Sequence, residues 1–412
     1  MKSRAAAAWL LAAIVYLYQF VIRGAPGLMI GQLSEALGLG AVAVASLASV
    51  FYYGYSPFSL VAGLALDRLG ARIVIPFGTL IMALGALLFG TGGVAAANLG
   101  RFLQGAGGVF SLVGAIYIAS KYFPASHSAT LIGATQMFGM AGAAAGPFFI
   151  GPMIVQGLPW KAFWNASAFA GLLLALTLFF VTPREESGNR RVPWVRKAAA
   201  SFAIVFRNPQ SILCGAVAGL LFLPTTILIT IWGVQFLQQG HGFDYGEAVL
   251  RSAAVPVGWI FGCPLLGMIS DRLGRRKPVI AWGSITLLAC VAWVLYGRAD
   301  LVPPYVVGLV AGVASGAAML PFTVIKEANP PGLAGTATGV MSFLVFTLSA
   351  LLGPVFGWIL QNTSGGEQIA LEHYQTTFQP LLWSIAIAVA LTFALKETGP
   401  AGRITVAKAK AA

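Results

Sequence analysis

Two arginines stand where a hydrocarbon environment would leave them without water. Arg23 closes the stretch Tyr16-Leu-Tyr18-Gln19-Phe-Val-Ile-Arg23 in the first long apolar run, and Arg101 lies early in the fourth. A guanidinium stays charged and presents a planar fork of N–H donors that matches carboxylate or phosphate oxygens. The acidic residues are Glu35, Asp67, Glu185, Glu186, Asp244, Glu247, Asp271, Asp300, Glu327, Glu367, Glu372 and Glu397. None falls in the middle of an apolar run. Neither arginine therefore has a carboxylate partner in its run, and no mid-run acid offers itself as a proton carrier. His127, His241 and His373 also sit at or beyond run ends. Two such cations point to an anionic ligand, because charge at membrane depth is costly and marks function. The plainer roles are that Arg23 snorkels to an interface and that Arg101 holds helix-end carbonyls.

Other side chains could complete a binding site around this charge. Tyr16, Gln19, Tyr52, Tyr53 and Gln136 supply hydroxyl and amide groups, and Trp232 and Trp259 supply aromatic walls. With Arg23 and Arg101 they form the expected substrate-binding set. Trp160 and Trp293 lie near run ends and read as interfacial-belt residues. Arg251 starts its run and has Leu47 as its counterpart in the first half, so it reads as interfacial. A catalytic reading finds no support. Cys214, Cys263 and Cys290 have unrelated spacings, no nucleophile–base constellation falls at membrane depth, and no G-x-x-x-x-G-K-[ST] phosphate loop is present. No enzyme activity, cofactor or metal is expected.

The elements that must position these residues follow from composition. Of 412 residues, 58% are hydrophobic and 9% charged, against about 25% charged in a soluble domain. The net charge of +13 is gathered in particular loops, which reads as membrane topology and argues against a nucleic-acid partner. Apolar runs long enough to span a bilayer as helices fall near residues 8–30, 41–64, 72–92, 95–118, 128–153 and 160–182. They resume at 210–237, 248–269, 278–297, 303–325, 337–361 and 378–397. The expected fold class is an all-α integral membrane protein with 12 transmembrane helices.

The chain is also duplicated. Gly63-Leu-Ala-Leu-Asp67-Arg68-Leu69-Gly70-Ala71-Arg72 recurs as Gly267-Met-Ile-Ser-Asp271-Arg272-Leu273-Gly274-Arg275-Arg276-Lys277, with Asp271 lying 204 residues after Asp67. Lys121 and Lys326 repeat at a similar offset, as do Gly146-Pro147 and Gly353-Pro354. Six spans per half give the halves the same orientation, so they are expected as two six-helix bundles related by a pseudo-two-fold axis along the membrane normal. The boundaries are an N-terminal bundle over 1–183, a basic linker over 184–208, a C-terminal bundle over 209–398 and a tail over 399–412. Placing both termini in the cytoplasm puts 20 of the 25 Lys and Arg residues on that side, as the positive-inside rule requires. In each hinge the Asp can cap a neighbouring helix N-terminus or pair with Arg72 or Arg275.

With these features in register, the chain resembles the major facilitator superfamily. The hinges are similar to that family's G-x-L-x-D-R-x-G-R-[RK] signature, the first copy having Ala71 where a basic residue is usual. Arg101-Phe-Leu-Gln104-Gly105-Ala-Gly107 is similar to its R-x-x-Q-G-x-G pattern. Gly142-Ala-Ala-Ala-Gly146-Pro147 is loosely like an antiporter-associated motif. The resemblance implies a secondary transporter whose cavity is lined by spans 1, 4, 7 and 10. It also implies a conformational latch at Gly63, Asp67, Arg68, Gly70 and Arg72 and at Gly267, Asp271, Arg272, Gly274 and Arg275, favouring the outward-open state. The leading expectation is a monomeric carrier of a small organic anion in the bacterial inner membrane, working within the lipid bilayer. An exporter of drug-like or siderophore-like molecules is the alternative, and a receptor on the same scaffold is the reading from another class.

Overall fold

The computed structural model describes residues 2–39, 41–184, 194–298, 305–364 and 369–400. These residues are almost wholly helical, and among them eleven helices are long and apolar enough to cross a membrane. The 29-residue helix Ala41–Leu69 stands at the place of the expected second span and brings the number to twelve. The spans of the first half are Lys2–Leu28, Ala41–Leu69, Ala71–Thr91, Val94–Tyr122, Ser128–Ile154 and Trp160–Val181. The seventh begins at Pro209. It is followed by Tyr245–Leu273, Lys277–Tyr296, Val306–Glu327, Ala334–Ser364 and Leu371–Ala394. Each maps onto one of the apolar runs. Between the halves, Trp194–Arg207 is helical, while residues 185–193 and the tail from 401 lie outside the described residues.

Spans 5 and 7 widen to π-helix, and a proline stands at the first widening of each. Span 5 widens to a π-helical turn over Gly146–Ile150, at Gly146-Pro147. Span 7 widens over Pro224–Ile231 and again over Phe236–Gly240. Proline has no N–H, so the carbonyl four residues back loses its helical donor. In span 7 that carbonyl belongs to Leu220, and the Ser384 hydroxyl donates to it at 3.4 Å.

The chain packs into two compact units that trade segments across the sequence halves. Unit 1 comprises Met1–Ala125, Phe138–Ser211 and Asn329–Phe346, and unit 2 comprises Ser126–Met137, Ile212–Ala328 and Thr347–Ala412. Unit 1 thus takes the first part of span 11, and unit 2 takes the first part of span 5. Glycines make the exchange possible by letting backbones touch. A Cβ on Gly63 would run into the Gly335 carbonyl, and one on Gly267 would sit 2.5 Å from the Ala129 carbonyl.

Candidate functional site

In unit 1 the two arginines lie side by side and do different things. Span 1 carries Pro26 in its last turns, which strips the Ile22 carbonyl of its helical donor. Arg101 replaces that donor. Its Nη1 donates to Ile22 O at 3.1 Å and to Gln104 Oε1 at 2.8 Å, its Nη2 to Arg23 O at 3.1 Å, and its Nε to Leu47 O at 3.4 Å. Arg101 is fully buried, and its guanidinium lies 5.2 Å from the centroid of Phe51. It ties spans 1, 2 and 4 together at the level of Arg23. Pro26 is the sequence signal for this role, four residues beyond the carbonyl that needs a donor.

Arg23 is half-buried. Its Nη2 donates to the Tyr52 hydroxyl at 2.6 Å, and its guanidinium lies 4.7, 4.9 and 5.9 Å from the ring centroids of Phe20, Tyr52 and Phe51. Such cation–π contacts hold a guanidinium without neutralising it. Span 2 can bring these rings close because Gly54 and Gly105 let the backbones of spans 2 and 4 meet. Gln19 precedes Arg23 by four residues and so shares its helix face. Gln19 is fully buried, and among the described residues neither its Oε1 nor its Nε2 has a hydrogen-bond partner. Its Cγ would lie 2.8 Å from a Cβ on Gly108. A buried amide without partners is costly unless something visits it.

Tyr16 is buried against span 5, where a Cβ on Gly139 would meet its ring at 2.5 Å, and it contacts Phe20 edge-to-face at 5.0 Å. Tyr53 is exposed on the other side of span 2 and does not join the cluster. Gln136, Trp232 and Trp259 belong to unit 2. There Trp259 is fully buried and donates from Nε1 to Thr225 Oγ1 at 3.4 Å, within the π-helical part of span 7. Unit 2 also holds a cavity of about 100 Å³ lined by Phe236, His241, Phe243, Arg251 and Trp293. Arg251, expected at an interface, is bound there to Glu247 at 2.6 Å.

The hinges put both aspartates on helix N-termini. Asp67 accepts from the Gly335 N–H at 2.8 Å and from the N–H and hydroxyl of Thr336, both at 2.6 Å. It thereby caps span 11. Asp271 accepts from the N–H and hydroxyl of Thr130, both at 2.9 Å, at the start of span 5. The tight turn after each aspartate uses a left-handed glycine, Gly70 at φ 78° and Gly274 at φ 62°. The expected pairing with Arg275 falls instead to Arg276, whose Nη1 reaches Asp271 at 2.6 Å. Arg275 is exposed. Arg72, the counterpart of Arg276, makes no such ion pair among the described residues and lies 5.1 Å from the centroid of Phe179. Arg68 is half-buried and Arg272 exposed.

Comparison with known proteins agrees with this architecture. The family model described as Major Facilitator Superfamily matches residues 9–354. The hexuronate transporter of Bacillus subtilis (strain 168) is 25% identical over 354 residues, covering 80% of this chain and 82% of the relative. A quinolone resistance transporter of Acinetobacter baumannii is 25% identical over 388 residues, covering 87% of this chain and 80% of the relative. The solved structure of the proton:xylose symporter XylE superposes with a TM-score of 0.75 at 14% identity, covering 96% of this chain and 97% of that one.

Proposed function

The chain belongs to the Major Facilitator Superfamily, and on that premise we propose that it moves a small organic anion, carboxylate-like, across the bacterial inner membrane by alternating access. The observation that carries this reading is Arg23, a half-buried guanidinium whose neighbours are aromatic rings and one hydroxyl. Among the described residues no carboxylate pairs with it, so an arriving carboxylate supplies the missing charge. Gln19, one helical turn away, offers amide groups that now lack partners. Arg101 acts as the strut that fixes the end of span 1. Tyr16, Tyr52 and Gln19 in unit 1, and Gln136, Trp232 and Trp259 in unit 2, remain the candidates for further contacts. The reading keeps both termini in the cytoplasm, in keeping with the placement of the Lys and Arg residues, and takes the carrier as a monomer.

The hinges act as latches. A cap that holds in one packing of the helices and breaks in another biases a two-state equilibrium, and the family analogy assigns that bias to the outward-open state. A relative named for hexuronate transport supports an anionic cargo. A relative named for quinolone resistance supports a second reading, export of drug-like molecules. Uptake of labelled D-glucuronate and benzoate into proteoliposomes, beside resistance conferred on a susceptible host, separates the two. We expect uptake of at least one acid, with Arg23→Gln lowering it about 10–100-fold, the worth of one or two charge-assisted hydrogen bonds. Undiminished uptake in the variant would remove Arg23 from the site.

A further inference from the structure

The surroundings of Arg23 narrow the kind of anion. Recognition of a polyhydroxylated acid needs polar partners for each ring hydroxyl, and unpaired hydroxyls are penalised. Among the described residues, the polar groups near this guanidinium include the hydroxyls of Tyr52 and Tyr55 and, one helical turn away, the Gln19 amide, while the donors of Arg101 are turned to carbonyls and Gln104. Three aromatic rings lie against the guanidinium as well. Phe346, from the part of span 11 that belongs to unit 1, is 5% exposed. Its ring lies 6.5 Å from Tyr52 at an interplanar angle of 29°, and 4.6 Å from Tyr55, edge-on. Phe20 and Tyr52 thus both face the charge, and Phe346 extends the aromatic shelf from Tyr52.

We propose that the Arg23 site selects flat, aromatic or conjugated carboxylates over saturated or polyhydroxylated ones, and that Phe346 is the specificity residue that sets this preference. The inference rests on the reading of Arg23 as the anion-binding group. A carboxylate docks on the guanidinium while its planar body lies along the shelf, where offset stacking adds to simple burial. A puckered ring keeps the charge contact and loses the stacking. Phe346 does its part by extending the shelf and by holding the Tyr52 ring in place.

Benzoate and cyclohexanecarboxylate carry the same charge at nearly the same size, and differ in planarity. Calorimetric titration of the full-length protein in lipid nanodiscs with these two acids and with D-glucuronate tests the proposal. We expect benzoate to bind about tenfold more tightly than cyclohexanecarboxylate, a ratio in keeping with one good aromatic pair. Phe346→Leu should bring the two acids to within about twofold of each other, and Phe346→Trp should preserve the preference. Tyr52→Phe should weaken both acids while leaving their ratio intact. Equal affinities in the unaltered protein, or tighter binding of D-glucuronate, would overturn planar selection while leaving the anion reading standing. A preference that survives in Phe346→Leu would remove Phe346 from its role. Failure of all three acids to bind would sink the anion reading and this inference together. The ratio in the unaltered protein decides the matter even if a variant fails to fold.

Discussion

The two hinges share a sequence and a capping geometry, yet they are held by different forces. At the first, Asp67 caps span 11 with three hydrogen bonds, and Arg72 turns away onto Phe179. At the second, Asp271 caps span 5 and also binds Arg276. Arg276 reaches on to Glu327 at 2.9 Å. Glu397 accepts from the N–H groups of Arg276 and Lys277 at 2.7 and 3.2 Å, and the Thr398 hydroxyl donates to Glu327 at 2.6 Å. The second hinge is therefore a closed charge network that includes the segment after span 12, whereas at the first the described contacts of Asp67 are those of the cap, with the Lys121 charge nearby. The position matching Glu327 in the first half is Tyr122, next to Lys121 as Glu327 is next to Lys326. An arginine without an acid in reach stacks on a ring. Several substitutions, among them Tyr122 for Glu327 and Leu66 for Ser270, thus separate two copies of the same motif, and a shared pattern of letters does not carry over the force behind it.

The largest difference between the hinges should appear on removing their arginines. Arg276 is fully buried between two carboxylates, and truncating one partner of such a network costs about 3–5 kcal/mol. Arg276→Ala should therefore lower the melting temperature in detergent far more than Arg72→Ala, whose cation–π contact is worth about 0.5–1 kcal/mol at a half-exposed site. Equal losses would show that the network adds nothing to the cap.

Next in size, Asp271→Asn should loosen its helix more than Asp67→Asn. The first removes an ion pair as well as a charged cap, and the second only the charge of a cap, worth about 1 kcal/mol. Hydrogen exchange at the start of span 5 and at the start of span 11, respectively, reads the two effects. A smaller gain, of at most about 1 kcal/mol for a partly solvated pair, is expected from Tyr122→Glu, which gives Arg72 the acid that its counterpart has. The same substitution together with Arg72→Gln should show no gain.

Much of this was legible in the residues. The twelve apolar runs became the spans, since bilayer thickness fixes helix length, and the repeated Asp-Arg-Leu-Gly located both caps. The arginine that closes the second network was misassigned by one position, because i+4 and i+5 partners after a left-handed glycine cannot be told apart from spacing alone. The role of Arg101 was foreshadowed as a holder of helix-end carbonyls, while the signal of Pro26, which frees the Ile22 carbonyl, was passed over. Phe346 was not foreseen. Its contact with Tyr52 joins residues 294 positions apart, and no local pattern encodes it. The exclusion of Tyr53 has a similar cause, since three tyrosines in five residues of a helix cannot all face one side.

The traded segments bear on how this chain can be cut. Unit 1 is completed by residues 329–346 and unit 2 by residues 126–137, so each sequence half lends an arm to the other. Two fragments separated at the linker would leave Asp67 and Asp271 without the N–H groups they cap.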